Sequence, residues 1–505
     1  MANHLYDHLV APRAGSEAPF LLRDGAEQLS FAGFAGLAAA LAHTLCAAGL
    51  TPGDRVVVQA PKCAEMAALY IATIQAGGVF LPLNTAYKRD EVAYFVADAA
   101  PKVIICDPQA VDTLSDIAAD AGAVLLTLDG AGKGTLTDGL EDRPTTFDTV
   151  ARWPDDLAAL LYTSGTTGRS KGAMLTHANL VSNTVALTDL WQITQADRLI
   201  HALPIFHTHG LFVALNTSLY AGASVHFMAA FDAGAILDAM GDATLLMGVP
   251  TFYTRLLGED RLTRDLASGM RLFVSGSAPL LAETHQAFTA RTGHRILERY
   301  GMTETNMNTS NPYDGDRRAG TVGLPLPGVE VIVADPDTGA PLPKGEVGMV
   351  EVRGPNVFKG YWQMPDKTAA ELRETGFFVT GDLGQFSADG YLSIVGRSKD
   401  LIITGGYNVY PKEIEDVLND IDAVAESAVF GTPDADFGEA IIAALVLAPG
   451  AAADTESIAQ VVRDKLARFK HPRAYQILDA LPRNAMGKVQ KNVLRDSYKA
   501  DALTG

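Results

Sequence analysis

Cysteine is scarce in this chain, with only Cys46, Cys63 and Cys106 among 505 residues. Their spacing fits neither a disulfide framework nor a metal site. They read instead as buried thiols of a reducing compartment. Long apolar runs are also missing. No stretch of about 18 apolar residues occurs, which argues against a membrane span. The opening residues, 1–15, lack the basic and then apolar regions of a secretion signal. They also lack the Arg- and Ser-rich, acid-poor character of a transit peptide, so a cytoplasmic location is expected. Positive charge is in deficit: 40 Lys and Arg face 59 Asp and Glu, a formal net charge of −19. Nucleic acids and anionic membranes are bound through a basic footprint, so neither is expected as a partner. A local basic pocket for phosphates remains compatible with this balance. There is no internal repeat and no long low-complexity tract.

Apolar residues, by contrast, make up 48 % of the chain, ample for a large core, and the length suggests more than one domain. In the first half, apolar runs alternate with helical patterns. Residues 55–59, 102–106 and 123–128 read as buried strands, with helices at 63–77 and 90–99 between them. Such alternation predicts layered α/β structure with largely parallel strands. A polar, Gly- and Thr-rich stretch, 129–156, reads as a surface connection. Short strands are expected at 157–161 and 272–274, each stopping at a small-residue loop. From 322 to 396 the texture changes to short alternating strands with many turns, as in antiparallel sheet. Beyond 399, Pro411 precedes Ile414, Val417, Leu418 and Ile421 at helical spacing. Ile458, Val461, Val462, Leu466 and Phe469 predict a second amphipathic helix, so a small α+β domain is expected at about 400–505.

Four clusters carry chemistry. The stretch Tyr162–Gly172 joins three glycines, a run of serines and threonines and Lys171 directly after a buried strand. Glycines let the backbone approach a polyphosphate, amides and hydroxyls donate to its oxygens, and the lysine adds a mobile charge. The spacing of a Walker A loop is not met. In Tyr300–Glu304 a hydroxyl and a carboxylate stand side by side, suited to a phosphate and its Mg²⁺. In Thr380–Asp382, with Gly396–Asp400, an Asp can accept two ribose hydroxyls and an Arg can support them. In Pro482–Lys488 a lysine on a Gly-bearing loop can reach an anion in a cleft. Taken singly, these are also a polar loop, a chance match, a turn with a solvated charge run and a surface lysine.

In this order, over most of the chain, the four clusters resemble those of the adenylate-forming superfamily of acyl-CoA synthetases, luciferases and peptide-synthetase adenylation domains. Residues 203–210 also resemble that family's LPxxHxxG element. The resemblance implies a large N-terminal domain of layered sheets and helices with a barrel-like β subdomain, residues 1–398. A small mobile α+β lid, residues 399–505, would turn about a hinge at Lys399. It implies two half-reactions with ATP, Mg²⁺ and coenzyme A: a carboxylate and ATP give an acyl-adenylate and pyrophosphate, and the CoA thiol then displaces AMP. By similarity Thr163, Ser164, Gly165, Thr166, Thr167, Gly168 and Lys171 line the phosphates. Ser277, Ala278, Pro279, Tyr300, Gly301 and Met302 border the adenine, and Asp382 and Arg397 take the ribose. Thr303 touches the α-phosphate, Thr166 and Glu304 hold the metal, and Lys488 bridges the acid and the α-phosphate. Gly405, Gly406 and Tyr407 would meet the pantetheine.

Within the family, residues 201–214, 248–257, 275–281, 297–317 and 404–415 are most similar to the branch that activates malonate, which makes a small dicarboxylic acid the expected substrate. Arg299, where many relatives have an uncharged residue, would bind its second carboxylate in a bidentate fork. The alternative is a salt bridge to a neighbour such as Glu298. His207 would help hold the acid or order the CoA channel, or else is a packed histidine. Ser277, Thr208 and Met307 would wall the pocket. Methylmalonate, succinate or a monocarboxylic acid remain alternatives, as does loading of a carrier protein in place of CoA. No carrier segment follows Lys488, which favours CoA. Retention of Thr166, Glu304, Asp382, Arg397 and Lys488 together argues against a non-catalytic nucleotide-binding protein. Acetylation of Lys488 by a lysine acetyltransferase, reversed by a deacetylase, would remove its charge and switch the enzyme off.

Overall fold

A computed structural model describes residues 2–22, 28–163, 170–404, 407–434, 437–451, 455–484 and 488–504. The chain forms two compact units. One comprises Met1–Ala319, Gly323–Glu330 and Val352–Phe378, and the other Gly320–Val322, Val331–Glu351 and Val379–Gly505.

The larger unit is built on two sheets. In the first, the parallel strands Val124–Thr127, Val103–Cys106, Arg55–Gln59, Val79–Pro82 and Leu157–Thr163 lie in that order, and Lys171–Thr176 closes the edge antiparallel to its neighbour. Side chains alternate across a strand. Val56 and Val58 therefore enter the main core, whereas Val57 joins a second core with Phe95, Val96 and Leu114 under the helices Arg89–Ala99 and Val111–Asp120. Burial on both faces is why these strands read as continuous apolar runs.

The second sheet has nine strands. Its parallel centre runs Leu297–Met302, Leu272–Ser275, Leu245–Gly248, Arg198–His201, Ser224–Phe227, Pro19–Leu22. Asn306–Ser310 and Leu324–Pro325 are added antiparallel at one edge, and Leu29–Ser30 at the other. The helices Phe31–Ala47 and Ala64–Gln75 pack on one another within the main core, rich in Ala, so their backbones approach closely.

Most of a four-stranded sheet, Glu330–Ala334, Gly348–Arg353, Phe378–Phe386 and Leu392–Arg397, belongs to the smaller unit, with Glu330, Val352, Arg353 and Phe378 counted in the larger. The smaller unit's second sheet orders Tyr407–Val409, Ile402–Thr404, Gly438–Leu447 and Val424–Asp434, with Ala474–Ile477 also pairing to Gly438–Leu447. Helix Pro411–Asn419 starts on its proline, as its spacing predicts, and buries Ile414 and Leu418 against Val429, Ile441 and Leu445. The second predicted helix is shorter than its apolar pattern suggests. It spans Thr455–Lys465, and Phe469 lies on a separate 3₁₀ turn, Arg468–Lys470. Pro472 holds His471 extended (ψ 126°), which bars a helix through that point. A further correction concerns Cys46, which is exposed, while Cys63 and Cys106 are buried. Among the described residues no helix is long and apolar enough to cross a membrane.

Candidate active site

The residues singled out around the acid gather at the carboxyl ends of parallel strands, the edge of an α/β sheet where ligands bind. His207 and Thr208 follow the strand Arg198–His201. Ser277, Ala278 and Pro279 follow Leu272–Ser275, and Arg299, Tyr300, Gly301 and Met302 end Leu297–Met302. A tight turn at Thr303–Thr305 then reverses the chain, pairing Gly301 with Met307 and Met302 with Asn306. Gly301 is needed there, since a Cβ would stand 2.7 Å from Met307 Cα. Met307 is buried, held by backbone bonds to Asn183 (2.8 and 3.2 Å).

Arg299 is 3 % exposed, and its Nε and Nη2 have no hydrogen-bond partner. The salt bridge to Glu298 does not form. Successive strand residues face opposite sides, and Glu298 turns to His285, with Oε1 3.4 Å from Nδ1. Burial pushes the Arg299 guanidinium down to about 9, with the Tyr253 phenol acting in the opposite sense. A buried ion whose donors lack partners is costly. Gly276, which the sequence reading passed over, makes room for it: a Cβ there would stand 2.6 Å from Arg299 Nε. Ser277, next in line, takes a left-handed backbone (φ 70°) and sets its Oγ 3.3 Å from His209 Nδ1.

His209 is a second residue the sequence reading missed, although it lies inside the LPxxHxxG stretch. It is 2 % exposed, and Nε2 has no partner. Burial first, then the charges of Arg299, His207 and His201, hold it neutral well below the usual histidine range. Thr208 Oγ1 is likewise buried without a partner. His207 is half-buried and accepts from His209 N at 3.5 Å. The stretch His209–Leu215 is a π-helix, a form that recurs at functional sites. The loop before it is pinned from beneath. Lys62 Nζ donates to His201 Nδ1 (3.0 Å) and to the carbonyls of His201 (2.8 Å) and Leu203 (2.9 Å). His201 Nε2 in turn lies 2.8 Å from the Gly210 carbonyl. A Cβ at Gly210 would meet the Pro204 carbonyl carbon at 2.9 Å.

On the phosphate side, Thr163 and Lys171 are paired across the two strands that flank the Gly-rich loop. Ser164, Gly165, Thr166, Thr167 and Gly168 lie outside the described residues. Lys171 Nζ lies 3.1 Å from the Tyr361 hydroxyl and 3.2 Å from Glu371 Oε2. Tyr361 also reaches Glu304 Oε1 at 3.0 Å. Burial first, then the Glu304 and Glu371 carboxylates, push the Tyr361 phenol upward. Neither Tyr361 nor Glu371 carries a local sequence signal. Glu304 is 5 % exposed. Among the described residues no group of three or more His, Cys, Asp or Glu could enclose a metal. A single buried carboxylate suits Mg²⁺, which keeps water and substrate phosphates as its other ligands.

In the smaller unit Asp382 and Arg397 are strand partners, with Oδ1 2.7 Å from Nε. Thr380 Oγ1 accepts from Asp382 N at 3.0 Å across Gly381, whose φ of 73° lies in the left-handed region within the strand. Lys399 is exposed on the 3₁₀ turn Ser398–Asp400, where Asp400 pairs with Arg495 at 2.7 Å. Tyr407 is exposed and stacked on Phe469 (centroids 4.7 Å apart), while Gly405 and Gly406 lie outside the described residues. Lys488 is exposed, and its backbone N–H donates to Asn484 Oδ1 at 3.0 Å.

Residues 10–362 match the AMP-binding enzyme family, and residues 413–488 its C-terminal domain. The chain is 36 % identical over 486 residues to malonate–CoA ligase of Arabidopsis thaliana, covering 89 % of this chain and 79 % of that one. It is 35 % identical over 497 residues to sulfoacetate–CoA ligase of Cupriavidus necator, covering 96 % of each. Its fold matches the ATP-bound crystal structure of MatB from Rhodopseudomonas palustris with a TM-score of 0.97 and 54 % identity, over 99 % of both chains. The chain belongs to the AMP-binding enzyme family, the adenylate-forming superfamily that its motifs resemble.

Proposed function

We propose that this chain ligates malonate to coenzyme A through a malonyl-adenylate, giving malonyl-CoA, AMP and pyrophosphate. The observation that carries the choice of acid is Arg299, a buried guanidinium whose Nε and Nη2 find no partner in the protein. Relatives of nearly equal identity act on different acids, so overall likeness alone does not select one. Arg299 selects acids with a second anionic group close to the reacting carboxylate. Sulfoacetate meets that description too and is the second reading, favoured by the Cupriavidus relative. Methylmalonate requires only that the wall at Thr208 and Met307 admit a methyl group.

In this reading Arg299 and His209 hold the distal carboxylate, and His207 helps hold the acid or orders the CoA channel. The reacting carboxylate attacks the α-phosphorus, and pyrophosphate leaves. Two anions must meet in that step, and Lys488 supplies the fixed positive charge that lowers their repulsion. Thr303 positions the α-phosphate. Thr163, the glycine-rich loop and Lys171 hold the outer phosphates. Ser277, Ala278, Pro279 and Tyr300 to Met302 border the base, and Asp382 with Arg397 holds the ribose. Mg²⁺, bound by Glu304 and Thr166, would neutralise charge on the phosphates. The lid, residues 399–505, then turns at Lys399, and the CoA thiol, guided by Gly405, Gly406 and Tyr407, displaces AMP from the acyl carbon. The cytoplasm is the site of action, and acetylation of the exposed Lys488 switches the first half-reaction off.

Product analysis tests this scheme. With ATP, Mg²⁺, CoA and malonate the chain is expected to form AMP, pyrophosphate and malonyl-CoA in equal amounts, with no carrier protein present. Lys488→Gln, which mimics the acetylated side chain, is expected to lose about 10²–10³ in adenylation. It should still transfer malonyl from supplied malonyl-adenylate to CoA. Full adenylation by Lys488→Gln, or turnover only with a carrier protein, would contradict the scheme.

A further inference from the structure

Lys171 opens its strand directly after the Gly-, Ser- and Thr-rich loop, yet its ammonium is already engaged. Nζ lies 3.3 and 3.2 Å from the two carboxylate oxygens of Glu371. It also sits 3.1 Å from the Tyr361 hydroxyl and 4.2 Å from the centroid of that ring. Glu371 is the last residue of the helix Pro365–Glu371. It has other partners besides Lys171. Lys367, one turn earlier, approaches Oε1 at 2.7 Å, and the Tyr361 hydroxyl donates to Oε2 at 2.6 Å. If Lys171 left, Glu371 would keep a cation and a proton donor, so no buried charge would be abandoned. Lys171 would meanwhile move toward a group of greater negative charge, since a polyphosphate attracts an ammonium more strongly than one shared carboxylate.

We propose that Glu371 is a positioning residue of the nucleotide site: it holds Lys171 at the end of the phosphate loop and releases it to the incoming polyphosphate, keeping Lys367 and the Tyr361 hydroxyl as its own partners. The exchange runs backwards when pyrophosphate leaves, with Glu371 recapturing Lys171. The inference rests on the assignment of Lys171 to the nucleotide's phosphates. It adds a competitor built into the chain, whose removal makes binding tighter rather than weaker.

Equilibrium titration of the full chain with Mg²⁺-ATP, without acid or CoA, tests it. Four proteins are needed: native, Glu371→Gln, Lys171→Met and the double variant. Glu371→Gln is expected to tighten ATP and pyrophosphate by about two- to fivefold, the span of a partly exposed ion pair. Misfolding cannot produce such a gain, and the smaller Glu371→Ser should show the same sign. Lys171→Met is expected to weaken ATP, and the double variant to match Lys171→Met alone. Unchanged or weaker binding by both Glu371 variants, with Lys171→Met still weakened, overturns the exchange and leaves the role of Lys171 standing. Tightening that persists without Lys171 also overturns it, because the carboxylate then acts only through its bulk charge. ATP affinity unaffected by Lys171→Met overturns both the exchange and the assignment beneath it.

Discussion

At the scale of single residues, Arg299 combines a stability cost with the binding role proposed for it. Its guanidinium is buried with Nε and Nη2 unpartnered, and Gly276 leaves it the space. Replacing a buried ion pair by apolar groups of similar volume is often neutral or stabilising by about 1–4 kcal/mol, and an ion without a counter-charge costs more to bury than a paired one. Arg299→Leu should therefore raise the melting temperature by a few degrees in the absence of acid, read by calorimetry; a clear fall would mean that the guanidinium is satisfied inside the protein. That Arg299 departs from the common pattern is legible in the sequence, because an arginine at a strand end is conspicuous there. Its partners are not. Gly276 acts by lacking a side chain beside a residue 23 positions away, and His209 shares its motif with a more prominent histidine.

Among the elements, the stretch 202–210 shows how far a motif can be read. Its type and order are visible as LPxxHxxG, but the forces that hold it come from elsewhere. Lys62 follows the strand Arg55–Gln59 in the other sheet, and its three N–H groups are taken by His201 Nδ1 and two carbonyls. Accepting at Nδ1 leaves His201 to donate from Nε2 to Gly210, so one lysine fixes both the tautomer and the turn. If the loop forms the acid side of the site, as proposed, Lys62→Met should raise KM for the acid at least about tenfold while leaving KM for ATP within about twofold. Equal changes in both constants would reduce Lys62 to general support. Helices were legible where periodicity and a proline agreed, as at Pro411. The helix Thr455–Lys465 was overextended because Phe469 fits the pattern but stacks on Tyr407 instead.

For the whole molecule, charge and burial set the pH range. His177, His201 and His209 are buried, and their burial lowers each of them, His177 to about 3. The unfolded chain titrates these histidines near 6.5. Below that pH it binds protons that the folded chain refuses, so the share of stability from these three rings is lost as pH falls and is constant above 6.5. Each histidine contributes up to about 1.4 kcal/mol per unit between pH 6.5 and 5. Melting temperatures should fall more steeply between pH 6.5 and 5.5 than between pH 7.5 and 6.5, and His177→Gln should make the lower fall shallower. A level profile down to pH 5.5 would mean that these rings accept protons in place. None of this was legible beforehand, because a sequence lists histidines without saying which are enclosed. The superfamily and its order of motifs were legible, since each motif is local and its chemistry follows from residue type.

The central claim is that Arg299 reads a second anionic group on the acid. Its most direct test is AMP release with ATP, Mg²⁺ and CoA on malonate, methylmalonate, sulfoacetate and butyrate, for the native chain and Arg299→Leu. A dianionic acid, malonate foremost, should lead butyrate by well over about tenfold in kcat/KM, and Arg299→Leu should erase that lead without lowering activity on butyrate. If butyrate matches malonate in the native chain, or the lead survives in Arg299→Leu, the distal anion is not read by this arginine and the claim is wrong.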